Sequence, residues 1–179
     1  MKNIILAFLM LFIIAGCKKN ISDLPAPSQT GANIFGAKVN GALWVPRGYG
    51  IASTAPTLEA RFSGNNSIVI NARNFGSEPI ETEFELFLYN VADTGTIMLN
   101  QNTTNYPNET ASYGYYIKRN VNPLGEWITN ATHMGRVVIT RLDRANKIIS
   151  GTFDFQAGSM DNTADPINVT EGRFDVTIQ

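Results

Sequence analysis

Ile80-Glu-Thr-Glu-Phe-Glu-Leu-Phe-Leu-Tyr89 alternates along its whole length. In an extended chain successive side chains point to opposite faces, so Ile80, Thr82, Phe84, Leu86 and Leu88 share one side. Glu81, Glu83, Glu85, Phe87 and Tyr89 share the other. The period is two rather than 3.6, which predicts a strand with one apolar face and one largely acidic face.

The same period extends in both directions. Leu58, Ala60 and Phe62 alternate with Glu59 and Arg61, Gly64-Asn65-Asn66 supplies a turn, and Ile68, Ile70 and Ala72 return. Upstream, Phe35, Ala37 and Val39 lead into Asn40-Gly41, a favoured hairpin turn, and Leu43-Trp44-Val45 comes back. Further strands are expected at 96–99, 112–118 and 135–142. The last two, 148–157 and 172–178, carry Ile149, Phe153 and Phe155, then Phe174, Val176 and Ile178, as their buried sets. Asp143-Arg-Ala-Asn-Lys147 reads as the polar connection between two apolar strands, and Gly151 marks a bulge or a close backbone approach. No helical apolar repeat follows the first sixteen residues. An all-β fold is expected, an antiparallel β-sandwich or a closed meander barrel of about nine or ten strands.

The start of the chain has a different pattern. Lys2 precedes an apolar run from Ile4 to Ala15, small residues follow, and Cys17 is the only cysteine. A basic start, a short apolar stretch and small residues at a cut describe an export signal. Ile14-Ala15-Gly16-Cys17 resembles the lipobox of bacterial lipoproteins, which implies acylation of Cys17 and removal of residues 1–16. An uncleaved transmembrane helix is the competing reading, but the run is 12 residues, against about 20 needed to span a bilayer. Two or more acyl chains suffice for stable anchoring. Residues 17–33, rich in proline and small polar residues, read as a lipidated flexible tether, and 34–179 as one all-β domain. Lys18 and Lys19 admit two readings, contact with anionic head groups or simple solvation.

Without the signal the chain carries thirteen basic and fifteen acidic residues, a net charge of −2. Nucleic-acid binders concentrate positive charge, so no nucleic-acid partner is expected. With Cys17 lipidated no internal disulfide can form, and the core must hold the domain.

Three stretches carry a resemblance: Phe35-Gly-Ala-Lys-Val-Asn-Gly-Ala-Leu-Trp44, Gly135-Arg-Val-Val-Ile-Thr-Arg-Leu-Asp143 with Ile148-Ile-Ser-Gly-Thr-Phe-Asp-Phe-Gln-Ala157, and Val169-Thr-Glu-Gly-Arg-Phe-Asp-Val176. They resemble a family of small cell-envelope lipoproteins of the Bacteroidetes, catalogued as a domain of unknown function. The motifs leave 46–130 unmatched. The resemblance implies an envelope β-domain without assigned activity, and with the lipobox-like start an outer-membrane lipoprotein is expected, on either the periplasmic or the surface face.

Candidate chemistry is sparse. Asp93-Thr94-Gly95 matches the aspartic-protease tripeptide, but that mechanism needs two opposed aspartates and no second copy exists, so a turn is expected. His133 is the only histidine, and no Gly-x-Ser-x-Gly elbow accompanies it. One histidine and no free thiol offer no zinc set. Glu81, Glu83 and Glu85, with Glu78 nearby, are spaced about 7 Å apart along a strand, too far for one ion, and read as a solvated face that discourages edge pairing. Asp161-Asn-Thr-Ala-Asp165 lacks the spaced ligands of a calcium loop. No catalytic residue, metal or cofactor is assigned.

The remaining candidate lies within 100–130, where Asn100, Gln101, Asn102, Asn105 and Asn108 accompany Tyr106, Tyr113, Tyr115, Tyr116 and Trp127. Amides that donate and accept beside flat rings suit a carbohydrate or an envelope protein surface. The alternative places Tyr113 and Tyr115, which share a face, in the core. The leading expectation is a lipid-anchored, non-catalytic binding or structural accessory module. An envelope hydrolase with an unrecognised carboxylate site and an enzyme inhibitor are the alternatives.

The N-terminal reading has a direct test. Cells expressing the chain and fed labelled palmitate should label it, and the Cys17→Ala variant should lose the label and keep its signal uncut. Equal labelling of both would refute the lipobox.

Overall fold

The computed structural model describes residues 22–48, 56–77, 80–103 and 105–179. Cys17, the signal run and Glu78 lie outside the described residues. Eleven strands form: β1 Ile34–Val39, β2 Ala42–Trp44, β3 Leu58–Ser63, β4 Ser67–Ser77, β5 Ile80–Leu88, β6 Gly95–Leu99, β7 Tyr113–Arg119, β8 Gly125–Ile128, β9 Gly135–Asp143, β10 Ile148–Ser159 and β11 Ile167–Thr177. There is no helix among the described residues. β8 has no counterpart among the strands expected from the sequence, because Pro123 and Gly125 at its start read as turn residues.

All strand pairings are antiparallel, in the order β2-β1-β11-β10-β8-β7-β5-β4-β3, with β9 on β10 and β6 on β9. The sheet does not close into a barrel. It folds over on itself as a sandwich, one layer holding β2, β1, β11, β10, β9 and β6, the other β3, β4, β5, β7 and β8. The end of β10 passes from the first layer to the second, where Gly158 and Ser159 pair with β8.

The predicted hairpins form in register. Asn40 and Gly41 both take positive φ, 49° and 82°, as a two-residue turn matched to strand twist requires. Gly151 sits at a register shift between β9 and β10, where a Cβ would lie 2.4 Å from the Val138 carbonyl oxygen. Both predicted roles of this glycine, bulge and close approach, are realised.

Phe84 of β5 binds the layers together. Its ring lies 4.6 Å from Trp44, 4.8 Å from Tyr116, 5.7 Å from Phe35 and 6.3 Å from both Phe153 and Phe155. Ile68, Ile70, Leu86, Leu88, Phe174, Val176 and Ile178 complete this core. Of the face that alternation predicts for 80–88, Phe84, Leu86 and Leu88 lie in this core, Thr82 is partly buried, and Ile80 at the start of the strand is exposed. β5 is nevertheless an interior strand, flanked by β4 and β7. Its glutamate face does not guard an edge, because pairing on both sides leaves no edge to guard.

Residues 22–33 differ from the flexible tether expected over 17–33. They lie across the outer face of the first layer as a docked strap. The carboxylate of Asp175, fully buried on β11, accepts the backbone N–H of Thr30 at 2.9 Å, Gly31 at 2.9 Å and Ala32 at 3.0 Å, and the Ser150 hydroxyl at 2.7 Å. Asn33 accepts the Thr177 N–H, Arg173 donates to the Pro25 carbonyl, and Arg141 donates to that of Gln29. Gly36 clears space for Pro25, whose Cδ would lie 2.8 Å from a Cβ there. Burial opposes ionisation of Asp175, but hydrogen bonds from Ala32, Ser150, Ser28 and Gly31 outweigh it and hold the carboxyl down to about 2.

Two outcomes follow from this packing. Phe84→Ala and Phe153→Ala should each cost about 3–5 kcal/mol, read from urea unfolding midpoints at constant slope. Asp175 ionises more readily folded than unfolded, so its contribution is complete above the ordinary carboxylate value near 3.9 and is lost as pH falls towards 2. Asp175→Asn should be less stable at pH 7 by about 1–3 kcal/mol and show a flatter loss between pH 4 and pH 2 than the wild type. Parallel curves would refute the assignment.

Candidate polar groove on the outer face of the second layer

Alternation that sends Ile70, Ala72, Phe84 and Leu86 inward sends Asn71, Arg73, Glu83 and Glu85 outward. Register then places Asn71 opposite Glu85 and Arg73 opposite Glu83. With Arg61 from β3, Phe75 from β4, Arg119 from β7 and Tyr106 from the segment between β6 and β7, they line a groove of about 510 Å³.

Its floor is a paired network. Glu85, 7 % exposed, accepts from Asn71 Nδ2 at 2.7 Å, Tyr113 Oη at 2.6 Å and Tyr106 Oη at 3.3 Å. Glu83 accepts from Arg73 Nε at 3.3 Å and Arg119 Nη2 at 3.1 Å, and Glu59 lies 3.6 Å from Arg73 Nη1. Arg61 donates to Asn71 Oδ1 at 2.8 Å. Arg73 and Arg119 thus meet on Glu83, Arg73 also reaches Glu59, and Arg61 is held by the Asn71 amide.

The five aromatic residues singled out in the sequence separate. Tyr113, Tyr115, Tyr116 and Trp127 are buried, which corrects the expectation that they stand in solvent as a stacking surface. Tyr116 and Trp127 belong to the interlayer core, where Trp127 Nε1 donates to the Asp165 carbonyl at 2.9 Å. Tyr113 and Tyr115 face the other way, in a second apolar cluster with Val69, Phe87, Ile117 and Ile128. The 100–112 segment covers that cluster. Thr103 donates to the Thr129 carbonyl and Ser112 accepts the Tyr89 N–H, fixing the segment at both ends. Tyr106, half-buried, stacks on Tyr115 with ring centres 3.8 Å apart and is the one of the five that lines the groove.

Burial raises the pKa of Tyr106 and Tyr113, and the neighbouring Glu85 charge adds to the effect. Both phenols therefore stay protonated and serve as donors. Burial, then the hydrogen bond to Glu126, does the same for Tyr115.

Glu85 corrects the expectation of a solvated acidic face: it is buried because the 100–112 segment and the Tyr113 side chain close over it. Glu83 and Glu85 stand side by side on one strand with their oxygens already hydrogen-bonded. They do not oppose each other across a cleft as a glycosidase pair would. His133 packs against Gly158, and its buried Nδ1 has no hydrogen-bond partner. Asp93 accepts the Thr94 N–H in an exposed turn, and Asp161 is occupied by Ser159 and Thr163 in closing its own loop. No group of three metal-ligating side chains exists among the described residues. Sequence reading missed Arg61, Asn71, Arg73, Phe75 and Arg119. The usable signal was the cross-strand match of Arg73 with Glu83, visible once the 68–72 and 80–88 strands are paired.

Residues 33–176 match a domain of unknown function, DUF6252. The chain belongs to the DUF6252 family. The match runs from the residue before β1 almost to the end of β11, so the family's domain includes both layers and the groove, and it excludes the strap before Asn33. No curated protein and no solved structure matches the chain.

Proposed function

We propose that this protein is a non-catalytic binding module of the bacterial cell envelope, anchored in the outer membrane through lipid on Cys17, whose polar groove binds carbohydrate. The short apolar run and lipobox-like Ile14-Ala15-Gly16-Cys17 support the anchor. The Bacteroidetes lipoprotein resemblance agrees with it. The charge balance of the groove carries the binding reading. The lining holds Arg61, Arg73 and Arg119 against Glu83 and Glu85, and Glu59 beside Arg73 brings the local charge to balance, leaving fixed donors and acceptors with little net field. Half-buried Phe75 and Tyr106 add ring surface. Such a site favours a neutral polyhydroxylated ligand over a polyanion. Two rings at about 1 kcal/mol each plus a few hydrogen bonds give millimolar affinity, near −4 kcal/mol.

The experiment is a screen of neutral and acidic glycans against the soluble domain, followed by titration of hits. A neutral glycan should bind, and Arg61→Ala and Phe75→Ala should weaken it about fivefold or more with the thermal midpoint kept. Binding restricted to polyanionic glycans, or affinity indifferent to both substitutions, would refute this assignment.

A further inference from the structure

We infer that the docked strap makes this a close-tethered domain, held with its groove end against the membrane that bears its lipid. The inference rests on the lipid anchor proposed above. Only five residue steps separate Cys17 from Ser22, the first described residue. At about 3.5 Å per step the fully extended reach is ~17 Å. A strap free as far as Asn33 would allow sixteen steps and about 55 Å.

The entry point of the strap is fixed in the fold. Ser22, Asp23 and Leu24 line one cavity with Val45, Pro46, Thr57 and Leu58, at the end of the sandwich where β1 starts and β2 closes. The end of β11 is there too: Ala60 bridges Ile178 and accepts from the Gln179 N–H. The groove belongs to the same end, because Arg73 donates its backbone N–H to Thr57 at 2.8 Å. At the other end lies the loop between β10 and β11. From Asp175 back to Ile167 is eight strand residues, about 25 Å. The exposed loop residue Ala164 therefore lies about 25 Å or more from the entry of the tether, whereas Thr57 is beside it. Whatever the groove binds is met close to the lipid head groups.

The test uses the full lipidated protein. With the Cys17 sulfur acylated, a cysteine introduced elsewhere is the sole free thiol. Thr57→Cys and Ala164→Cys proteins carry a fluorophore and sit in phosphatidylethanolamine/phosphatidylglycerol vesicles doped with head-group spin-labelled lipid. Quenching at position 57 should exceed that at 164 about threefold or more, given the reach of five residues. Inserting about ten Gly/Ser residues between Ile21 and Ser22 leaves every described contact intact and should erase the difference by loosening the tether. Equal quenching in vesicle-bound wild-type protein, or a difference that survives the insertion, overturns the inference and leaves the anchor standing. Protein that neither floats with vesicles nor takes up palmitate overturns the anchor and the inference with it.

Discussion

The structure depends on contacts between layers at Phe84. β5 is interior to one layer, and from it a single ring reaches β1, β2, β7 and β10. Each aromatic contact adds about 0.5–1.5 kcal/mol beyond its buried area. A sheet that folds over on itself without closing has no continuous ladder to hold its halves together. Interlocked rings do it here, with β10 crossing between layers as the covalent seam.

Once the inner faces are packed, each outer face is partly covered by a segment without regular structure. A buried carboxylate lies beneath each segment. Asp175 gathers three successive backbone N–H groups of the strap, and Glu85 gathers the phenols of Tyr106 and Tyr113. Irregular backbone on a sheet face brings donors that need partners, and a carboxylate with several acceptor sites serves them in one place. The cost of burying the charge is offset by the number of donors it receives. The two devices differ in consequence: the strap fixes where the N-terminal chain enters the fold, and Tyr106 contributes to one wall of the groove.

The groove is the part of the second outer face that this segment leaves uncovered. Arg73 and Arg119 pair with Glu83 across strands, which stabilises the sheet and also presents fixed donors and acceptors. The proposed binding role rests on that surface pattern, and the oxygens of Glu83 and Glu85 are already hydrogen-bonded to neighbouring side chains.

The sequence by itself determined most of the strands and most of the residues that point inward; Phe62 and Ile80, on the apolar sets of their strands, are exposed near strand ends. A strand has period two, and one buried face makes that period visible in Ile80–Leu88, in Leu58–Ala72 and in the Asn40-Gly41 turn. Gly125–Ile128, opening on a glycine just after Pro123, shows no such period. The Lys2-to-Cys17 pattern on which the proposed anchor rests is likewise local. Only the tertiary structure decided what covers the outward faces. Tyr113 and Tyr115 alternate like exposed residues, and Glu85 like a solvated one, until Tyr106, 21 residues away from Glu85 in sequence, folds over them. Asp175 likewise sits at an outward position of β11, yet it is buried by a strap about 145 residues away. Alternation reports the side of the sheet on which a side chain lies. Whether that side meets water depends on long-range packing, which no local period encodes.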